Sequence, residues 1–267
     1  MKSIIAATTG LLIFVSIASA QWMKNSTSSF PHTKDGKPDL AAKAPRASDG
    51  KVDLSGVWSP DPDPNGKPLG VEQMVFPRYF VKVAADMKME EEPLQPAARA
   101  LYLKHLQSEG KDSPQAHCRP SGVPWVNTIP LPYKIIQSPK LILMLYEENT
   151  AFRQIFLDGR QTVKDPEPRW MGYSTGKWEG DVLVVTTVGF NSESWLDAMG
   201  HPHSENMKLT ERFRRRDSGH LEIEMTVDDP KTFTRPLTYT QKATINPDED
   251  LLEYFCADNE KDIAHYK

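Results

Sequence analysis

The chain has no positive charge to spare. Its 32 lysines and arginines stand against 36 aspartates and glutamates, a net charge of −4. No basic excess is available to neutralise a phosphate backbone, so nucleic acid is not an expected partner. Cysteine is scarce, with only Cys118 and Cys256. They lack CxxC spacing, so a Cys/His metal site using His117 is a weak alternative. Beyond the first twenty residues, no apolar run is long enough to cross a bilayer. The P-loop, the GxGxxG fingerprint, HExxH, the EF-hand loop and the GxSxG elbow are all missing. Nucleotide-cofactor chemistry and a serine-hydrolase triad are therefore set aside, and no cofactor is expected.

What is present begins with export. MKSIIAATTGLLIFVSIASAQW carries Lys2, an apolar stretch from Ile4 to Ile17 and a small-x-small site at Ala18-Ser19-Ala20. The pattern predicts a signal peptide over residues 1–20 and a mature chain from Gln21, periplasmic or secreted. Export places the two cysteines in an oxidising compartment. The simplest reading is one disulfide, tying a loop ahead of the barrel to the last strand.

Residues 21–50 are rich in Ser, Thr, Lys, Pro and Ala and read as a flexible or loosely docked lead-in. Residues 51–267 read as a single β-rich domain. VDLSGVW opens it as a short strand. Helical spacing runs near 79–107, with Ala97, Ala98, Leu101, Leu103 and Leu106 as apolar positions and Pro93 and Pro96 at its start. From Tyr133 the text is strand and turn: KIIQ, LILMLYE, AFRQIFLDG, RWMGYST, DVLVVTTVGF, MKLTERFRRR, HLEIEMTVDD, PLTYTQKAT and LLEYFC. Strands that follow so closely pair mostly antiparallel and close to remove their edges. The predicted fold is mainly β: an antiparallel up-and-down barrel or strongly curved sheet, with one or two helices packed at one end. A β-sandwich is the alternative.

Alternation along these strands exposes inward polar groups. In MKLTERFRRR, Met207, Leu209, Glu211, Phe213 and Arg215 share one face. On the other face Arg212 and Arg214 meet Glu222 and Glu224 of the next strand, a solvated charge ladder. Glu211 thus points among apolar neighbours, where a carboxylate needs a partner. Arg153 shares a face with Ala151, Ile155 and Leu157 and is the matching cation. The two form either a structural ion pair across the interior or two walls of a ligand cavity. Asp158, Arg160 and Asp165 follow on a loop whose Asp-Gly is first a turn signal.

The histidine pair lies in GHPHSENMKLTERF, on a long connection between two strands. Long loops inside compact domains often carry function. Asp197, Trp195, His201, His203 and Glu205 all fall there. Three readings stay open. His201 and His203 with Glu205 or Asp197 hold zinc or iron. One histidine, His203 before His201, is a general acid/base oriented by Asp197 or Glu211. The third reading is a structural loop.

DLSGVW, the Cys118–Pro124 segment CRPSGVP, FRQIFLDGR, GYSTGKWEGDVLVVTTVGFN, WLDAMGHPHSE, LTERFRRRDSGHLEIEMTVDDP and EYFCADNE together cover most of the mature chain. This series resembles a widespread group of exported, β-rich bacterial proteins, abundant in acidobacterial and proteobacterial genomes. The resemblance implies a signal-bearing β domain and carries no reaction with it. Gly56-Val57-Trp58 also resembles the Gly-x-Trp start of lipocalin-like barrels.

The leading expectation is a cofactor-independent lyase, isomerase or hydrolase acting on a small organic molecule. His203 transfers the proton, Asp197 or Glu211 orients it, and Arg153 holds an anionic part of the substrate. Trp195, His201 and Tyr239 complete the substrate contacts. The alternative is a periplasmic binding protein or carrier that uses the same residues only to orient a ligand. An HxH metalloenzyme is the third possibility. Nothing in the sequence specifies an oligomeric state.

Overall fold

A computed structural model describes residues 30–62, 83–84 and 87–256. The expected signal peptide lies outside the described residues, as do residues 21–29 of the lead-in and 79–82 of the helical stretch. Nine strands follow in chain order: β1 (Gly56–Pro60), β2 (Tyr133–Gln137), β3 (Leu141–Tyr146), β4 (Phe152–Phe156), β5 (Tyr173–Glu179), β6 (Val182–Val188), β7 (Lys208–Arg215), β8 (His220–Asp228) and β9 (Leu237–Ile245). Each pairs with its neighbour, and β9 returns to β1, so the sheet closes into a barrel. Closure satisfies the edge groups that an open sheet of this size would expose.

All neighbours are antiparallel except β4 and β5. These run parallel and meet only at Ile155↔Ser174 and Phe156↔Thr175. The barrel is therefore not purely up-and-down. A parallel neighbour requires the chain to travel back along the strand axis before it pairs again. Residues 157–172 make that return. RWMGYST accordingly becomes a strand only from Tyr173.

The alternation read from β7 and β8 holds. Arg212 faces Glu224 and Arg214 faces Glu222, while Leu209, Glu211, Phe213 and Arg215 are buried with Leu221, Ile223, Met225 and Val227. Arg215 lies 5.0 Å over the Trp58 ring and donates to the carbonyls of Asp53, Ser55, Asp217 and Ser218. Burial lowers its pKa to about 10.

Among the described residues one α-helix, α1 (Pro96–Gln107), packs at the barrel end that also receives the β6–β7 and β8–β9 connections. Proline at its first turn loses no helical hydrogen bond. Its inward face is Ala98 and Tyr102, four residues apart, whereas Leu101 and Leu103 are exposed. The leucines flank the buried stripe and do not form it. At the opposite end the described part of the lead-in is docked. Gly219 and Ser218 donate backbone bonds to Leu40 and Ala42, and Arg46 pairs with Asp181 at 2.6 Å.

Cys118 and Cys256 form a disulfide, with Cα atoms 5.3 Å apart. The segment carrying Cys256 is not the expected last strand. LLEYFC has no sheet partner, and Leu252, Tyr254 and Phe255 are exposed. β9 already pairs with β1, so the place beside it that a further strand would take is filled. Leu252 N–H instead donates to Glu147 at 2.7 Å, and Thr150 donates to the Tyr254 carbonyl.

Candidate functional site

The barrel interior carries a polar cluster built from five strands and a loop. Arg153 on β4 and Glu211 on β7 are 1 % and 0 % exposed and pair through two contacts. The first joins Nη1 to Oε1 at 3.0 Å, and the second joins Nη2 to Oε2. Arg153 Nε donates to Ser174 Oγ on β5 at 3.0 Å, and Nη2 also donates to Thr187 Oγ1 on β6 at 2.8 Å. Asn127, on the loop before β2, donates to Glu211 Oε1 at 3.1 Å and accepts from the Tyr146 hydroxyl at 2.9 Å. Burial opposes the arginine charge, but Glu211 outweighs it and raises the Arg153 pKa. The guanidinium is neutralised within the protein, so it is not free to hold a substrate anion as anticipated.

Two phenols complete the cluster. The Tyr133 and Tyr239 hydroxyls are buried and have no hydrogen-bond partner among the described residues. Tyr133 is wholly buried, and Tyr239 is half-buried with its hydroxyl shielded from solvent. Burial first, and then charges including Glu211, raise both pKa values, so both phenols are protonated donors at neutral pH.

The histidines separate. His201 is fully buried, with Nδ1 2.7 Å from Asp197 Oδ2 and Nε2 3.0 Å from Glu92 Oε2. Burial disfavours its charge, yet the two carboxylates prevail and push its pKa up to about 9. Tyr102 of α1 stacks on its ring at 4.0 Å. Asp197 also accepts from the backbone N–H of Val83, Met199 and His201. The arrangement is a charged clasp that holds α1 and the loop together.

Asp197 therefore orients His201 and not His203. His203 Nε2 lies 2.7 Å from Ser194 Oγ, and its Nδ1 lies 3.2 Å from the Ser204 carbonyl. Burial lowers its pKa, so it is neutral at pH 7. The structure records no contact between His203 and Glu211. Trp195 joins Trp125 and Ile129 in a small satellite core, with the His105 and Trp125 rings stacked against it.

The metal alternative does not assemble. Both His201 nitrogens face carboxylates, both His203 nitrogens are engaged, and Glu205 is exposed. Among the described residues no three His, Cys, Asp or Glu side chains form a metal-binding group.

Sequence reading missed Asn127, Tyr133, Tyr146, Ser174, Thr187, Glu92 and Ser194. Alternation placed Arg153 and Glu211 inward because each interrupts an apolar face. An inward Ser, Thr or Tyr leaves no such interruption. Asn127 and Glu92 reach their partners from outside any strand. No family model, curated protein or solved structure matches the chain.

Proposed function

We propose that the protein is an exported barrel that binds a small polar organic molecule beside its interior tyrosines. The observation that carries this reading is that the buried hydroxyls of Tyr133 and Tyr239, like that of Tyr102 on α1, find no partner among the described residues. Leaving a buried hydroxyl unpaired costs about 1–3 kcal/mol, and a bound acceptor removes that cost. The ligand class that fits is a neutral molecule with carbonyl or ether oxygens. Two phenols supply donors, and the Arg153–Glu211 pair already balances its own charge. The apolar signal sequence and the disulfide support export. Among the described residues no helix is long and apolar enough to cross a membrane.

The test is native mass spectrometry of protein purified from the periplasm. A co-purifying organic species, lost in the Tyr133→Phe/Tyr239→Phe protein while the fold is kept, is the expected result. A bare polypeptide mass that begins at Gln21, with no small molecule retained by screening, leaves the hydroxyls to ordered water and overturns the reading.

A second reading is turnover of that ligand, favoured by the Ser194–His203 contact. With Nδ1–H donating to the Ser204 carbonyl, Nε2 accepts the Ser194 proton, as a general base does for a nucleophile. Ser194 is 2 % exposed, so this reading needs a substrate able to reach it. His203→Gln should then abolish turnover and leave ligand binding intact. Unchanged turnover removes His203 from the chemistry.

A further inference from the structure

The seam between β4 and β5 leaves a gap in the barrel wall. The strands meet at only two residue pairs, and β4 upstream of Ile155 has no partner strand on that side. A cleft of about 380 Å³ occupies the wedge between residues 149–154 and 169–174. That volume falls at the small-molecule end of ligand pockets.

We propose that this cleft is a second binding site, on the outer wall of the barrel, for a small planar aromatic carboxylate. Its chemistry is one-sided. Phe152, Phe156, Trp170 and Tyr173 line it, so a flat apolar ring meets aromatic faces. Arg153 and Arg169 are its charged lining residues, and no carboxylate lines it among the described residues. Arg153 is spoken for by Glu211. Among the described residues Arg169 pairs only with Glu167, at 3.9 Å, with side chains 60 % and 84 % exposed, a contact too loose and too wet to neutralise it. Arg169 is thus the cation available to a ligand carboxylate, through the planar fork that suits that group. Phe152 is 58 % exposed at the rim, an apolar surface that a ligand would cover. Arg160 lies against two of the lining residues, 3.9 Å over the Phe156 ring and with Nη1 3.3 Å from the Tyr173 hydroxyl. It is already bound to Asp158, so it does not compete for the anion.

The site is separate from the tyrosine pair, and one calorimetric titration distinguishes them. Benzoate, cyclohexanecarboxylate and benzyl alcohol are titrated into the mature protein. Benzoate is expected to bind saturably and about ten-fold or more tighter than the other two, since each lacks either the ring face or the charge. Arg169→Ala and Trp170→Ala should each weaken benzoate about ten-fold or more. Should Trp170→Ala fail to fold, Phe152→Ser at the exposed rim is the replacement and should also weaken binding. The Tyr133→Phe/Tyr239→Phe protein should bind benzoate unchanged. No saturable benzoate binding, or binding indifferent to Arg169 and to the aromatic variants, overturns the proposal. Loss of benzoate binding in the tyrosine variant would place the aromatic acid inside the barrel, which also overturns it while supporting the interior site.

Discussion

Arg153 and Glu211 each break an apolar face at a position where the side chain must turn inward. Neither is tolerable alone. Removing one partner of a buried ion pair costs about 3–5 kcal/mol, because the other is left charged and unpaired. Arg153→Met and Glu211→Leu should each destabilise by about that much in urea unfolding. The double variant should regain most of the loss. Additive losses would mean the two charges do not depend on each other. His201 yields a pH prediction. Its folded pKa of about 9 lies above the 6.5 of a free imidazole. The stability it adds is therefore complete below about pH 6.5 and lost as pH rises through about 9. Asp197 acts on the acid side, because its lowered pKa contributes stability that disappears as pH falls through it. His201→Gln should lower the thermal midpoint at pH 6 more than at pH 10. An equal drop at both would show that the clasp holds by shape and not by charge.

Elements locally complete in sequence were legible, and those defined by a distant partner were not. β7 and β8 are joined by the Asp217-Ser218-Gly219 turn, and their alternation set Arg212 and Arg214 against Glu222 and Glu224, which the register then pairs as Arg212↔Glu224 and Arg214↔Glu222. The helix was placed and its buried face was read in part, with Ala98 buried and Leu106 half-buried against the core. Leu101 and Leu103 look apolar in sequence, yet the groove receives Ala98 and Tyr102 because His201 waits there to stack. The return segment 157–172 has turn residues throughout, and nothing in them says that the next strand lies parallel. Gly122 shows how tightly such loops are packed. Its φ is +73°, and a Cβ there would lie 2.7 Å from Ser194 Oγ and 2.9 Å from the Trp170 carbonyl. Gly122→Ala should destabilise by about 2 kcal/mol or more. Gly180 also has positive φ, at +61°, but open space around it. Gly180→Ala should cost only about 1 kcal/mol. Equal losses in chemical denaturation would show that backbone strain alone, not contact with Ser194, makes Gly122 necessary.

At the scale of the whole molecule, one covalent link closes a loop spanning a separation of 138 residues. The chain-entropy treatment assigns such a loop about 4–5 kcal/mol, and native strain commonly reduces it. The Cys118→Ser/Cys256→Ser protein should lose about 2–5 kcal/mol of unfolding free energy. Hydrogen exchange should rise first at Leu252, whose N–H is held by Glu147 near the bridge. A variant as stable as the parent, with protection unchanged at Leu252, would show that the tail is fixed by its hydrogen bonds alone.

The sequence by itself determined the β class, the one-ended helix, the wet charge ladder and the inward aim of Arg153 and Glu211. Each follows from local periodicity, turn chemistry or the cost of a misplaced charge. Only the tertiary structure decided which histidine meets Asp197 and where Cys256 sits. It alone showed that β4 and β5 run parallel and leave a cleft, and that the Tyr133 and Tyr239 hydroxyls find no partner among the described residues. Those facts depend on residues far apart in the chain arriving within hydrogen-bonding distance. Periodicity records which face a side chain takes, and closure of the barrel decides what it finds there.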